Sequence, residues 1–250
     1  MDWFYSATNK KAIFLKMINR KLNYGRHIIE NFLATARDFK TILDIGAGRG
    51  EDLSFAKNIN SQAHLYAVEI YPEYARELAR KDITVYSIDI EKDPLPFTDA
   101  SVDIIIANQV LEHTKEIFWI FHEVTRVLRK RGNIIIGVPN LASFHNRMLL
   151  LFGKQPSPIK TCSAHIRGFT KEDIKKFLDN CFPGGYKLKK FGGSNFYPFP
   201  PLVAKPLARI FPTMAWSIFM MLEKQRLYTR EFLDFPISHQ LETNFYLGDT

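Results

Sequence analysis

The stretch TILDIGAGRGEDL, residues 41–53, decides the fold class of this 250-residue chain. A short, mostly apolar run is followed there by three glycines within five residues and then by a helix-like sequence. Glycine adopts backbone conformations that other residues avoid, so a glycine turn lets the backbone pass close to a ligand. The unpaired N–H groups at the start of the following helix face the same position. The pattern predicts a strand, a ligand-binding turn and a helix in that order.

The spacing of the glycines distinguishes this turn from a dinucleotide-binding loop. Gly46, Gly48 and Gly50 form the pattern G-x-G-x-G, whereas dinucleotide-binding proteins have G-x-G-x-x-G. Asp44 also places a carboxylate beside the turn. A carboxylate repels a pyrophosphate and attracts a ligand with positive charge, such as an amino group. The alternative is that Asp44 only caps the following turn.

From residue 41 onward, short strand-like runs alternate with helix-like runs. The strand-like runs are apolar and rich in β-forming residues: ILDIG, HLYAVEI, ITVYSID, VDIIIANQV and NIIIGVP. The helix-like runs are amphipathic: EDLSFAKNI, PEYARELAR, KEIFWIFHEVTRVLR and KEDIKKFLDN. Such an alternation indicates a parallel sheet that is covered by helices on both faces. We therefore predict an α/β protein.

The chain is predicted to form one domain with additions at both ends. Residues 10–38 carry apolar side chains on one helical face and basic side chains on the other, so residues 1–40 are expected to form a helical segment. The α/β domain follows over residues 41–225. Residues 226–250 are polar and aromatic, and we expect them to form a C-terminal tail.

Composition and charge limit the class of protein. The formal net charge is +8, which favours acidic partners or serves only solubility. Cys162 and Cys181 are too few for a disulfide framework and lack metal-ligand spacing, so we predict a cytoplasmic location and no metal site. The first residues do not have the pattern of a signal peptide. The longest uncharged apolar run, residues 210–222, is shorter than the ~20 residues of a spanning helix, so no transmembrane segment is expected.

Five motifs carry a resemblance to a known family. DIGAGRG resembles the first motif of class I S-adenosylmethionine-dependent methyltransferases, and the others follow in the family's order. They are Glu69 at the end of the second strand, Asp89 in SIDI, and the fourth- and fifth-strand regions around VDIIIANQVLEH and LRKRGNIIIGVPN. The resemblance covers about residues 40–181 and is to the subgroup that contains ubiquinone and menaquinone biosynthesis methyltransferases.

This resemblance implies a fold and a cofactor site. The fold is a Rossmann-like, seven-stranded, mostly parallel sheet with helices on both faces and an antiparallel last strand. The cofactor is S-adenosylmethionine, which leaves as S-adenosylhomocysteine. Residues that match the family's cofactor-binding positions are Asp44, Gly46, Ala47, Gly48, Gly50, Glu69, Ile70, Asp89, Ile90, Asn108 and Gln109. In the family, Glu69 corresponds to the acceptor for both ribose hydroxyls and Asp89 to the residue that contacts the adenine amino group. The alternatives are a solvated strand end for Glu69, and a turn cap for Asp89.

The chemistry of methyl transfer requires few side chains. The methyl group of a sulfonium is already electrophilic, and orientation of the nucleophile alone can lower the barrier by roughly 7–11 kcal/mol. A hydroxyl nucleophile gains from a nearby base, and His113, at the carboxyl edge of the predicted sheet, is the candidate catalytic base. Insertions at about residues 153–169 and 195–211 are expected to form the acceptor side, with His165, Arg167, Phe196 and Tyr197 as substrate-binding residues.

The residues after the fourth predicted strand narrow the acceptor class. Residues 108–111 read NQVL, which lacks the Pro-Pro-aromatic run of enzymes that methylate amino groups of adenine or glutamine, and no Pro-Cys pair for cytosine is present. We therefore expect O- or C-methylation of a small-molecule or lipid-linked acceptor, anionic in character. Within the basic and apolar segment 195–226, residues 214–222 are expected to be the buried last strand of the sheet, which leaves residues 202–211 for peripheral membrane contact or for the substrate side. The alternatives are an RNA methyltransferase, which the charge favours, and a non-catalytic scaffold.

Overall fold

The N-terminal α-helix is shorter than the sequence predicts. The structure is a computed structural model that describes residues 20–248, so residues 1–19 of the expected helical segment lie outside the described residues. A 3₁₀ helix, Arg20–Tyr24, is followed by helix α1, Arg26–Leu33. The prediction that the helix continues to residue 38 is wrong. Thr35 closes the last turn early, because its backbone N–H and its hydroxyl both donate to the Phe32 carbonyl.

Strands and helices then alternate as the sequence predicts. The strands are β1 Thr41–Ile45, β2 His64–Val68, β3 Thr84–Tyr86, β4 Val102–Asn108, β5 Leu128–Pro139, β6 Tyr186–Ser194 and β7 Ser217–Lys224. The helices are α2 Glu51–Ile59, α3 Pro72–Ala79, α4 Ile117–Val127, α5 Phe144–Leu151, α6 Lys171–Cys181, α7 Pro201–Ile210 and α8 Glu231–Ser238. The Thr170 side chain caps α6 by accepting a hydrogen bond from the Asp173 backbone N–H.

The seven strands form one sheet in the order β3-β2-β1-β4-β5-β7-β6. Strands β1 to β5 are parallel to their neighbours, whereas β7 is antiparallel to both β5 and β6. The predicted fold, a mostly parallel seven-stranded sheet with an antiparallel last strand, is confirmed. The strand order reverses between β1 and β4, and ligands of open α/β sheets bind in the crevice beyond the carboxyl ends of the strands at such a switch point.

Helices cover both faces of the sheet, and successive side chains along each strand point to opposite faces. Leu43 and Ile45 of β1 belong to one apolar cluster with α4, α6 and α8, whereas Ile42 belongs to a second cluster with α1, α2 and α3. Phe232 of α8 is fully buried in the first cluster, so residues 226–248, expected to be a tail, pack against the domain. A third, small cluster surrounds Phe196 and the inner face of α7.

Candidate active site

The glycine turn after β1 has the conformation that its sequence predicts. Gly46, Gly48 and Gly50 all have positive φ angles, of 68°, 52° and 73°. A Cβ atom on Gly46 would lie 2.5 Å from Val110 Cγ2, so packing also excludes a side chain there. A Cβ atom on Gly48 would meet no atom within 4 Å. The backbone at Gly48 thus borders open space, as a ligand cradle requires.

Glu69 connects this turn to the end of β2. Its side chain is 4% exposed, with Oε2 accepting from the Gly48 backbone N–H at 2.8 Å and Oε1 accepting from that of Tyr71 at 2.9 Å. Each carboxylate oxygen has two lone pairs, so both keep acceptor capacity for a ligand. The backbone bonds fix the orientation of the carboxylate next to the open space at Gly48.

The site has a negative electrostatic character. Asp44 is buried at the end of β1, and burial first, then the nearby Asp52, raises its pKa well above the usual range, while Arg26 opposes this shift. Asp52 accepts a hydrogen bond from Asn108 Nδ2 at 2.8 Å and pairs with Arg26. Three carboxylates, counting Glu69, therefore surround the turn with Arg26 as their partial counter-charge. This arrangement attracts a cationic group.

The residues after β4 leave polar atoms without partners. Among residues 20–248, Asn108 Oδ1 and Gln109 Nε2 are buried and make no hydrogen bond. Gln109 has a φ of +59°, a backbone conformation that residues other than glycine rarely adopt. Buried polar atoms normally have a partner, and a bound ligand would provide one at the end of β4.

The remaining predicted cofactor residues are more open. Asp89 lies beyond β3, and its Oδ1 accepts a hydrogen bond from the Glu91 backbone N–H at 3.0 Å. Asp89 therefore caps this turn, as the alternative interpretation of the residue predicts. Its other oxygen lies 3.3 Å from Lys92 Nζ. Ile70 is 59% exposed and Ile90 is half-buried. Their roles in cofactor binding stay predictions.

On the acceptor side, the structure brings two predicted histidines together. His113 ends a 3₁₀ helix, Leu111–His113, and its ring lies edge-on to that of His165, with centroids 4.6 Å apart. Burial, together with His113, lowers the pKa of His165. Arg167 lies in the same loop but donates to the backbone carbonyls of Thr114 and Lys115. Its guanidinium thus holds the loop in position, and its role in substrate binding stays a prediction.

Phe196 and Tyr197 lie in different surroundings. Phe196 is 5% exposed and stacks on Phe144 in the small apolar cluster, whereas Tyr197 is half-buried against His145 and Trp216. An apolar cavity of about 350 Å³ lies nearer to Arg167, lined by residues of α4, α6 and the loop 166–169.

Sequence reasoning missed one residue of this region. Glu112 is 1% exposed, and burial raises its pKa to about 7. A glutamate at the start of a helical turn is ordinarily explained by the helix dipole. The signal that could have identified it is its position between a buried strand and the predicted base, His113.

The strand order, the glycine turn, the carboxylate after β2 and the polar residues after β4 define a class I methyltransferase-type domain. In agreement, residues 43–136 match the methyltransferase domain family. An arsenite methyltransferase of Halobacterium salinarum is 31% identical over 147 residues, which is 56% of this chain and 36% of that protein. A probable S-adenosylmethionine-dependent methyltransferase of Mycobacterium tuberculosis is 33% identical over 113 residues, 44% of this chain and 38% of that protein. Residues 43–136 are thus similar to a methyltransferase domain, and the relatives named here include a probable S-adenosylmethionine-dependent methyltransferase.

Solved structures agree on the fold. The plantazolicin methyltransferase BpumL in complex with S-adenosylhomocysteine has a TM-score of 0.57 at 18% identity, over 89% of this chain and 92% of that one. The Burkholderia thailandensis 1,6-didemethyltoxoflavin-N1-methyltransferase has a TM-score of 0.54 at 14% identity, over 90% and 86%. The chain spans about a third to a half of the length of the first curated relatives that it matches. Within residues 20–248, no helix has the length and apolar character to cross a membrane.

S-adenosylmethionine, the cofactor of this class, fits the residues present. Its sulfonium and amino groups are cationic, which suits the carboxylates around the turn. The open space at Gly48 and the free acceptor capacity of Glu69 suit a ribose. The subgroup of quinone biosynthesis enzymes stays a prediction.

Proposed function

We propose that this chain transfers the methyl group of S-adenosylmethionine to oxygen or carbon of a small-molecule or lipid-linked acceptor. The observation that carries the proposal is the Glu69 carboxylate, oriented by the Gly48 and Tyr71 N–H groups beside an open glycine turn. A buried, oriented carboxylate with unused lone pairs is an acceptor for vicinal hydroxyls.

The chain's own residues would bind and orient the cofactor. Glu69 would accept from the ribose hydroxyls, and Asp44 would attract the amino group. Asp89 and Ile90 would contact the adenine. Bound there, the cofactor supplies an electrophilic methyl group. The protein then needs to align a nucleophile and to exclude water.

His113 is the proposed base for a hydroxyl acceptor. Its ring is exposed at the carboxyl edge of the sheet, next to His165. Burial, and then the neighbouring His113, lowers the pKa of His165, which favours the neutral form of that ring. Proton transfer to a positioned base contributes about 10²–10⁴-fold to such reactions.

The acceptor side has features that suit a lipid-linked substrate. Large apolar side chains are exposed at the ends of α5 and α7: Leu150, Leu151, Phe152, Leu202, Ile210 and Phe211. Lys205 and Arg209 on α7 border a cavity of about 930 Å³ between α7, α1 and β6. Exposed apolar groups beside basic groups are typical of peripheral contact with an anionic membrane. We propose that these helices bring the acceptor side to a membrane surface.

Labelled methyl transfer from S-adenosylmethionine tests the function. The purified chain is incubated with separate lipid, small-molecule and tRNA fractions, while mass spectrometry identifies molecules that co-purify with it. Label in the lipid or small-molecule fraction supports the proposal. Label in tRNA, with salt-dependent binding, establishes the RNA alternative that the charge of +8 favours. Failure to bind S-adenosylhomocysteine would instead indicate a non-catalytic scaffold.

A further inference from the structure

Three side chains that bear metal-binding atoms meet at the carboxyl edge of β4. Glu112, His113 and His165 each offer one ligand atom, and these atoms lie within 4.8 Å of one another. Backbone bonds hold the two segments together, since Ile166 and Arg167 N–H groups donate to the Glu112 carbonyl at 2.8 and 3.2 Å. The cluster therefore has a fixed frame.

The buried Glu112 carboxylate is only partly compensated, by a hydrogen bond from its own backbone N–H. Its Oε2 atom is buried and, among residues 20–248, makes no hydrogen bond. Of the basic side chains nearby, Arg167 donates to the Thr114 and Lys115 carbonyls and Lys115 pairs with Glu116. A buried carboxylate with an unpaired oxygen and no counter-charge is unfavourable, and a bound cation would remove this cost.

The two histidines are oriented as metal ligands are. His113 Nδ1 lies 3.3 Å from the Ala164 carbonyl oxygen, and a proton on Nδ1 leaves the Nε2 lone pair free. His165 Nδ1 is buried and, within the described chain, unpartnered, while the Pro158 carbonyl approaches the same ring. Metal-binding histidines usually direct their other N–H to a backbone carbonyl or carboxylate.

We propose that Glu112, His113 and His165 bind one divalent transition-metal ion. Two imidazole nitrogens and one carboxylate oxygen form a ligand set that suits Zn²⁺ or Fe²⁺ and leaves at least one coordination position open. Tetrahedral bonds of about 2.0–2.1 Å place ligand atoms about 3.4 Å apart, so modest rotation of the exposed His113 ring closes the site. The sequence predicted no metal, because the ligands come from distant segments and include no cysteine.

The site has a consequence that rests on the proposed methyl transfer. An acceptor with a hydroxyl or phenolate oxygen can occupy the open position, where the metal lowers the pKa of that hydroxyl. With the metal bound, the metal would replace His113 in the base role proposed above, and His113 would be a ligand, because a coordinated nitrogen has no lone pair for a proton.

Metal titration of the full chain tests the site. After treatment with EDTA, the protein is titrated with ZnCl₂ by calorimetry and with CoCl₂ by visible absorption. We expect one equivalent to bind, with intense Co²⁺ bands in the visible. Glu112→Gln and His165→Ala should each weaken Zn²⁺ binding at least about 100-fold. The matched control is His64→Gln, which should bind Zn²⁺ as the wild type does. His64 is exposed at the amino end of β2, whereas the proposed site lies at the carboxyl edge of the sheet.

Binding of S-adenosylhomocysteine by the wild type and by both variants separates the two proposals. In the wild type, cofactor binding without Zn²⁺ binding would overturn the metal site alone, and Zn²⁺ binding without cofactor binding would overturn the methyltransferase proposal alone. Glu112→Gln preserves the shape of the side chain, and His165→Ala provides a second variant if the first does not fold. Wild-type Zn²⁺ affinity in both variants would assign the bound ion to other surface groups and overturn the proposal.

Discussion

The cofactor side and the acceptor side of this domain are built in different ways. On the cofactor side, residues 41–113, the polar side chain of Glu69 is oriented by the backbone N–H groups of Gly48 and Tyr71. On the acceptor side, residues 140–216, aromatic side chains pack on one another, as Phe196 does on Phe144. Backbone geometry follows local sequence, whereas packing between insertions depends on residues far apart in the chain. The two sides should therefore respond differently to substitution.

The largest effect is expected at Gly46. Gly46→Val introduces a Cβ atom 2.5 Å from Val110 Cγ2 at a φ of +68°, so the turn must move. We expect S-adenosylhomocysteine binding to fall below detection in calorimetry, while the circular dichroism spectrum stays that of a folded protein. Gly184→Ala is the control, because Gly184 also has a positive φ, of 64°, its Cβ atom would meet no protein atom, and it lies in the turn before β6; it should bind S-adenosylhomocysteine as the wild type does. Equal affinity in Gly46→Val and wild type would remove the cofactor site from this turn.

Phe196→Ala should affect stability and leave cofactor affinity unchanged. Phe196 is buried in the small apolar cluster, and deletion of a buried phenylalanine ring costs about 3–5 kcal/mol of unfolding free energy. Urea unfolding gives that free energy, and calorimetry gives the affinity. Tyr197→Phe, at a half-buried neighbour, is the control and should change the unfolding free energy much less.

An unchanged unfolding free energy in Phe196→Ala would mean that this ring faces the acceptor, as the sequence predicts. A parallel loss of stability and cofactor affinity would show that the two sides are energetically coupled. Either result would weaken the distinction drawn between them.

Glu69→Ala tests the oriented carboxylate of the cofactor side. Charge-assisted hydrogen bonds contribute about 1.5–3 kcal/mol, so the affinity for S-adenosylhomocysteine should fall roughly tenfold to a hundredfold. The effect is smaller than at Gly46 because the turn keeps its backbone path. Glu73→Ala, at an exposed glutamate in the first turn of α3, should bind as the wild type does. If Glu69→Ala also does, the buried carboxylate of Glu69 only binds the Gly48 and Tyr71 backbone N–H groups and makes no contact with the cofactor.

The smallest effect is expected for Lys224 on β7, as a pH dependence of the free energy of unfolding. Its buried ammonium donates to the Thr125 and Leu128 carbonyls, and burial lowers its pKa from 10.5 to about 8. Between pH 8 and 9 the unfolded chain binds more protons at this group than the folded chain does, so stability rises with pH. The slope is at most about 1.4 kcal/mol per pH unit.

Urea unfolding at pH 8.0, 8.5 and 9.0 measures this slope, and Lys224→Met should lose it. Buried Cys181, with its pKa raised from 9.0 to about 12, contributes an opposite slope in the same range, because the unfolded thiol loses its proton around pH 9. This contribution is common to both proteins, so the slope that belongs to Lys224 is the difference between them. At each pH the two proteins should have the same affinity for the cofactor. Identical slopes in the two proteins would contradict the assignment to Lys224.

The sequence was sufficient for the features that depend on local pattern. The apolar runs and glycines around β1, β2 and β4 predict the strands and the turn, and α2, α3 and α4 match their helical runs within a few residues. The end of α1 was missed because a Thr35 side-chain bond replaces a turn of helix, which periodicity does not reveal. The burial of Phe196 and the meeting of Glu112 with His165 depend on how long loops pack, and no single stretch of sequence records that packing.

The position of β7 between β5 and β6 has a consequence for biosynthesis. The ribosome makes both neighbours before residues 217–224, so β5 remains an unpaired edge and β6 has no partner until β7 arrives. Unpaired apolar strand edges recruit other chains, and this edge carries Ile134, Ile135 and Ile136. The nascent protein thus passes through an aggregation-prone, five-stranded stage, and a chain terminated before Ser217 would stay in it and depend on chaperones to remain dispersed.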